Sequence, residues 1–320
     1  MKLCVTTLVL ALFTAGPLAQ AQSPAPAWPT KTVRWVVPYA PGGPTDTVSR
    51  LIAQKLSERV QHPVIVDNRP GAVGNVGTSL VGSSPPDGHT LLYVVPAIVL
   101  NPYFLSGSPN RSVVTPVTRI IQYPMVLLAS NNFKPRTVEE IAAAARARPG
   151  SVSCGSTGGI PTVACEMLKS SAKAEVLVVP YKGQAQATNA LMAGEIDLMF
   201  DGVVSALGAV KAGRMRAIAA LDSKGKNTAL GPLPAVSETF PGFEFTTWHG
   251  LMAPAGTPSD IVNRINHEVA AVLSLPEVKQ RLNELGFEGV GDSPDEFERF
   301  LRAETAKFDR VIKQAGIKPE

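Results

Sequence analysis

Two carboxylates and two glycine-rich turns are the groups in this chain whose types and spacing could do chemistry. Asp46 closes the stretch Tyr39-Ala40-Pro41-Gly42-Gly43-Pro44-Thr45-Asp46, and Asp201 follows the apolar run Ile196 to Phe200. Carboxylates facing each other across a cleft can serve general acid–base chemistry or, without a nucleophile, orient water, a hydroxyl or an amine. The first turn follows Val33 to Val37 and leads into apolar residues at 48, 51, 52, 56 and 60, which is helical spacing. Strand, loop and helix in that order aim unpaired backbone N–H groups beyond the strand end, as an anion site requires. The second turn, Gly155-Ser156-Thr157-Gly158-Gly159 running on to Thr162, has the same design. Two such loops can grip one anion from opposite sides. Asn75 within Gly71 to Gly77, Ala97 after Val95-Pro96, and Tyr181-Lys182 continue further strand ends, and such ends line the crevice of an open parallel sheet.

Each of these residues also has a plain structural reading. Thr45 or Asp46 can be a helix N-cap. Tyr181 can be an aromatic wall against a ligand or half of an ordinary strand-end pair with Lys182. Trp248 and His249 can be a core tryptophan and a solvent-facing histidine as readily as ligand contacts. Catalysis finds little support, because no G-x-S-x-G elbow, P-loop, or S-x-x-K with a companion motif occurs, and Gly71, Gly74 and Gly77 lack the G-x-G-x-x-G spacing. His62, His89, His249 and His267 form no metal-binding pattern. No catalytic residue, metal or cofactor is therefore assigned. A net charge of +4 without Lys/Arg runs interleaved with aromatics marks no nucleic-acid surface.

The elements that must position these groups follow from the hydrophobic pattern. The chain has 320 residues, 45% hydrophobic and 18% charged, enough for one large or two ordinary domains. Lys2, the apolar run Val5 to Phe13 and Ala19-Gln20-Ala21 form a secretory signal peptide over residues 1–21, cleaved near Ala21, with a flexible Ser23 to Ala27 start to the mature chain. In the oxidising compartment beyond, Cys154 and Cys165 can form a disulfide or remain two small buried residues. Short strands at Val33 to Val37, Val64 to Asn68 and Thr90 to Val95 alternate with helices, which predicts an α/β fold with mainly parallel sheets covered on both faces. From Val113 to Ala129 the pattern becomes two β-rich pieces interrupted by Pro116 and Pro124. A second α/β unit follows, then a β-rich stretch from Phe245 to Ala253 and three helices starting near Pro258, Pro276 and Pro294. The chain thus crosses twice between two lobes, one of residues 22–122 with 248–320 and one of residues 123–247, leaving a cleft that closes by hinge motion.

Five segments together resemble a known family: VVPYAPGGPTD at Val36 to Asp46, VDNRPGAVGNVG at Val66 to Gly77, PDGHTLL at Pro86 to Leu92, VPYKG at Val179 to Gly183, and GLMAPAGTP at Gly250 to Pro258. In that order they are similar to the Bug-type extracytoplasmic solute receptors of tripartite tricarboxylate transporters. The resemblance implies a two-lobed periplasmic binding protein fold of type II, a small ligand in the cleft, and delivery to membrane permease subunits by a monomeric periplasmic receptor. It implies that the loops at 41–46 and 153–160 hold a ligand carboxylate, partly through ordered water. The second lobe departs from the family pattern at Cys154, Thr157, Pro161-Thr162 and Cys165-Glu166, with Thr162 where relatives often carry a histidine, so ligand identity does not carry over. The expected site comprises Tyr39, Pro41, Gly42, Gly43, Thr45, Asp46, Asn75, Ala97, Gly155, Ser156, Thr157, Gly158, Gly159, Thr162, Tyr181 and Asp201. N–H groups of Gly42-Gly43 and of the 155–159 loop hold the carboxylate, Asp46 and Asp201 orient bridging water or a ligand hydroxyl or amine, and Tyr181 covers the apolar part. A secreted α/β enzyme acting on a small organic acid is the alternative.

Overall fold

The structure is a computed structural model and describes residues 28–109, 111–222 and 229–316. The expected signal peptide, its cleavage point and the Ser23 to Ala27 tail lie outside the described residues. In chain order the elements are β1 (Val33–Val37), α1 (Pro44–Val60), β2 (Val64–Asn68), α2 (Asn75–Gly82), β3 (Thr90–Val94), α3 (Ala97–Phe104), β4 (Val114–Ala129), α4 (Val138–Ala147), β5 (Val152–Ser156), α5 (Gly159–Ala172), β6 (Val176–Pro180) and α6 (Gln184–Ala193). They continue with β7 (Leu198–Gly202), α7 (Val203–Lys211), β8 (Arg216–Ala220), α8 (Val236–Thr239), β9 (Thr246–Pro254), α9 (Ser259–Ser274), α10 (Pro276–Glu284), β10 (Glu288–Gly289) and α11 (Pro294–Ala315).

Short apolar strands alternating with helices give two parallel wings. β1 pairs with β2 and β3, and β5 pairs with β6 and β7. Both wings hang on β4: its residues 114–124 pair antiparallel with β9, and its residues 125–129 pair antiparallel with β7. The order is β2-β1-β3-β9-β4-β7-β5-β6, with β8 and β10 beside β4. The fold is therefore the mixed α/β type expected, with an antiparallel seam where the chain crosses between wings.

The two β-rich pieces expected around Pro116 and Pro124 are in fact one strand of 16 residues. Proline removes a ladder donor, but both prolines stand where the ladder is already irregular. Pro116 borders a register shift against β9, and Pro124 is the last residue of β4 paired with β9 before β7 takes over at Met125. The sequence pattern also passed over α3, whose Pro96 caps it and whose Pro102 lies inside it; both read locally as breakers.

The wings are covered on both faces, as buried parallel strands require. Trp35, Val48, Ile52, Leu56, Ile265 and Val269 join β1, α1 and α9 in one core cluster. Leu128, Met199, Leu191 and Val203 join β4, β7, α6 and α7 in another. The apolar stripe of α11 packs across the middle. Trp248 meets Phe297 edge-on at 5.6 Å, and Phe245 stacks on Phe308 at 5.9 Å. Each such buried ring contributes roughly 1.5–3 kcal/mol. A capping box fixes the start of α11, with the Glu296 N–H donating to Ser293 Oγ and the Ser293 N–H donating to Glu296 Oε2. Trp248 is fully buried in this cluster, so it is a packing residue.

Candidate functional site

Strand direction decides where the polar loops meet. β3 is antiparallel to β9 and β9 to β4, so β1 and β3 run in the direction of β4, whereas β5, β6 and β7 run against it. The carboxyl ends of the two wings consequently point toward each other across the place where β4 changes partners. Loops at those ends line the ligand crevice of α/β sheets.

On the first side, α1 starts at Pro44, where the missing N–H costs nothing, with Gly43 as N-cap at φ −85° and ψ 177°. A Cβ added at Gly43 would meet nothing within 4 Å. Asp46, third in the helix and 5% exposed, is turned inward. Its Oδ2 accepts from the Gly42 N–H at 3.0 Å and from Arg50 Nε at 2.9 Å, and its Oδ1 accepts from Asn68 Nδ2 at 3.0 Å. The same Asn68 amide donates to the Tyr39 carbonyl at 3.1 Å. The Arg50 hydrogen bond, opposed by burial and helped by Gly42 and Asn68, holds the Asp46 carboxyl at about 2. Two expectations change here. Asp46 braces its own loop, and the Gly42 N–H already donates to it, which leaves the N–H groups of Gly43 and of the first turn of α1 for a ligand. Pro41 and Thr45 flank this terminus, exposed and half-buried.

Neighbouring loops support this side. Tyr39 and Ala97 border one cavity of about 10 Å³ with Gly74 and Asn101, the size of a single water. Asn75 is engaged elsewhere: its Oδ1 accepts from Asn101 Nδ2 at 2.7 Å and its Nδ2 donates to Ser108 Oγ at 3.0 Å. It ties α2 to α3 and so is corrected from ligand contact to loop support. A Cβ at Gly77 would lie 2.6 Å from Pro38 Cβ, so that glycine serves close packing on β1.

On the second side, β5 extends through Ser156, further than the apolar pattern indicated, and α5 begins at Gly159. Gly155 is paired with Val179 on one side and Met199 on the other, and a Cβ there would stand 2.4 Å from Ile196 Cδ1. It is a packing glycine within a ladder, which corrects its expected role as a ligand contact. Ser156 Oγ and Thr162 Oγ1 share a hydrogen bond of 2.5 Å, and the Ser156 carbonyl accepts from the Tyr181 N–H at 2.8 Å. The open positions are Gly158 and Gly159: Gly158 caps α5 at φ 84° and ψ 170°, a conformation suited to glycine, and a Cβ at either would meet nothing within 4 Å. Cys154 and Cys165 form a disulfide that clamps α5 to the strand before it. Tyr181, half-buried, packs its ring near Gly155.

Asp201, at the end of β7, differs sharply from Asp46. It is 8% exposed and accepts from the Gly202 N–H at 2.7 Å through Oδ1. Burial pushes its carboxyl up to about 7, against the opposing pull of Gly202, Ser205 and Gln184. Its side chain is thus a mixture of acid and carboxylate at neutral pH.

Two features escaped the sequence reading. Gln184 opens α6, receives a 3.4 Å hydrogen bond from Thr157 Oγ1, and keeps a buried Nε2 without a hydrogen-bond partner. His249 is a core residue at 2% exposure, which corrects the solvent-facing alternative. Its Nδ1 lies 2.7 Å from the Tyr93 hydroxyl and its Nε2 3.4 Å from that of Tyr123. Burial pushes its imidazole down to about 3, so the ring is neutral and one phenol donates while the other accepts. A groove of about 620 Å³ behind α3 is no rival anion site, because its Arg111 and Arg302 both pair with Glu298.

A profile described as "Tripartite tricarboxylate transporter family receptor" matches residues 48–317. The chain belongs to this receptor family. Among solved structures it is similar to Rpa4515 of R. palustris with adipate, at 33% identity and TM-score 0.82 over 92% of this chain and 100% of that one. It is also similar to MatC (Rpa3494) of Rhodopseudomonas palustris with bound malate, at 30% identity and TM-score 0.78 over 89% and 100%. The periplasmic binding protein BugD matches at 28% identity and TM-score 0.78 over 92% and 100%. The tripartite tricarboxylate receptors and these neighbours are periplasmic solute-binding proteins of the two-lobed type, in agreement with the resemblance carried by the five segments.

Proposed function

We propose that this receptor captures a small carboxylate-bearing metabolite between two α/β lobes, residues 22–122 with 248–320 and residues 123–247, and hands it to the permease subunits of a tripartite tricarboxylate transporter. It acts as a monomer in the periplasm after cleavage of a signal peptide near Ala21. The carrying observation is the pair of open helix N-termini, α1 at Gly43 and α5 at Gly158, at strand ends that point toward each other. Unpaired N–H groups and two helix dipoles converging on one place favour a carboxylate. Adipate in Rpa4515 and malate in MatC support that ligand class, and the change of partner along β4 at Pro124/Met125 supports the lobe division.

The carboxylate is bound and released unchanged. A general acid–base pair would need both aspartates turned to the substrate, and both oxygens of Asp46 are engaged by its own loop. The test is Gly43→Val. The backbone at Gly43 suits any residue and the added side chain meets open space, so the variant folds while its branched side chain stands in the path of the ligand. Calorimetry with adipate and with malate is expected to show at least about tenfold weaker binding. Unchanged affinity in the folded variant refutes the assignment, and chemical conversion of either acid by the wild-type protein favours the enzyme alternative.

A further inference from the structure

The two sides of the carboxylate seat are braced by different chemistry. α1 is held at its start by Asp46, whose carboxylate accepts from Gly42, Arg50 and Asn68. The second side has no such brace, because no charged residue lies between Cys154 and Cys165. The β5 ladder ends at Ser156, paired with Pro180, and α5 starts at Gly159. Between them Thr157 donates a 3.4 Å hydrogen bond to Gln184, and a Cβ at Gly158 would meet open space. Further along, Val163, Ala164 and Leu168 pack α5 into the core, and such packing is non-directional. The Cys154–Cys165 disulfide supplies the missing fixed distance. Cys154 stands two residues before the end of β5, and Cys165 six residues beyond Gly159 in α5, a rise of about 9 Å from the open terminus. The bond holds their Cα atoms 5.9 Å apart, and both cysteines are fully buried. The ring it closes contains the Ser156–Thr162 hydrogen bond, Gly158 and Gly159.

We propose that the Cys154–Cys165 disulfide positions the ligand seat: it fixes the start of α5 at the spacing at which α5 and α1 share one carboxylate, so that the receptor binds tightly only in its oxidised form. The inference rests on the reading of α1 and α5 as that seat. Without the bond the loop must be ordered at the moment of binding, whereas a loop ordered in advance avoids that cost. Backbone freedom regained by a single residue corresponds to about tenfold in affinity. Reduction by dithiothreitol adds two electrons and two protons, turning the S–S bond into two thiols while the reagent closes to its cyclic disulfide. By linkage, a ligand that prefers the oxidised form about tenfold shifts the reduction equilibrium about tenfold toward the disulfide. A bond serving stability alone leaves both folded forms with one affinity, and the ligand then leaves their equilibrium unmoved.

The experiment is calorimetry with adipate and malate on four forms of the mature chain: oxidised wild type, wild type reduced by dithiothreitol, Cys154→Ala/Cys165→Ala, and Cys154→Ala/Cys165→Val. The last variant keeps the core filled without the bond, and near-ultraviolet circular dichroism checks that each form is folded. All three forms lacking the bond are expected to bind about tenfold more weakly than oxidised wild type. In dithiothreitol redox buffers, saturating acid is expected to raise the ratio of reduced to oxidised reagent at half-reduction by the same factor, about tenfold. Equal affinity in the oxidised and the folded bond-free forms overturns the positioning role and leaves the receptor reading standing, as does a half-reduction ratio that the acid does not move. Full affinity in Cys154→Ala/Cys165→Val alone assigns the effect to packing and also overturns that role. Unfolding of all three bond-free forms makes the disulfide a requirement of the fold and overturns it equally. Binding of neither acid by oxidised wild type overturns the receptor reading itself, and this inference with it.

Discussion

Replacing Asp46 with asparagine separates two roles for this residue, loop brace and ligand partner. The isosteric amide keeps the volume but loses the charge that accepts from Arg50, Gly42 and Asn68. The carboxyl sits at about 2 in the folded chain against 3.8 as a free side chain, and each unit corresponds to about 1.4 kcal/mol. The full difference is roughly 2.4 kcal/mol, and because the Arg50 side chain is 55% exposed, screening by solvent reduces it to about 1–2 kcal/mol. A depressed carboxyl stabilises the fold above its unfolded value, and that contribution is lost as pH falls from about 4 to about 2. Urea unfolding at pH 7 is thus expected to show Asp46→Asn less stable by about 1–2 kcal/mol at constant slope. Acid unfolding is expected to lose its step between pH 4 and pH 2. Wild-type stability at pH 7 combined with a loss of ligand affinity would refute the brace and return Asp46 to the ligand.

The other expectations are separate and can be measured on the same material. Reducing Cys154–Cys165, which closes a short loop of sequence separation 11, is expected to lower stability by about 2–3 kcal/mol, read as a shift in the urea midpoint with and without reductant. Asp201→Asn is expected to stabilise the protein. A buried carboxyl raised from 3.8 to about 7 costs stability as pH rises through that window, so the gain is absent below about pH 4 and reaches on the order of 4 kcal/mol above pH 7. Equal stability of the variant and wild type at pH 8 would contradict it.

Much of the architecture was legible because it is written in local patterns. The largely apolar run Val33 to Val37 before a Gly-rich turn specifies β1, Val152 to Cys154 before Gly155 marks only the first part of β5, and the glycines at 43, 158 and 159 mark both open helix ends. What the sequence concealed depends on partners far away in the chain. Pro116 and Pro124 look like breaks until β9 and β7 are known to exchange places along β4. His249 reads equally as a solvent-facing residue or a ligand contact because nothing nearby announces that β9 is a central strand with Tyr93 and Tyr123 on either side. Gly155 and Asn75 have the composition of loop residues, but Ile196, Asn101 and Ser108 decide what they do. Gln184 carried one local signal, its place two residues after Lys182 at a strand end, and its unmet donor becomes visible only beside Asp201.

β4 and β9 stay paired past β3 and β10 through Tyr123↔Thr247 and Pro124↔Thr246, so the two strands leave the first wing as a short two-stranded ribbon and not as a pair of independent cords. Sliding one strand along the other would break the ladder, and a one-residue slip would turn every side chain to the wrong face. The hinge motion expected between the lobes would accordingly be a rotation that keeps the β4–β9 register. Gly43 and Gly158, the two sides of the proposed ligand seat, would then keep an alignment set by that register.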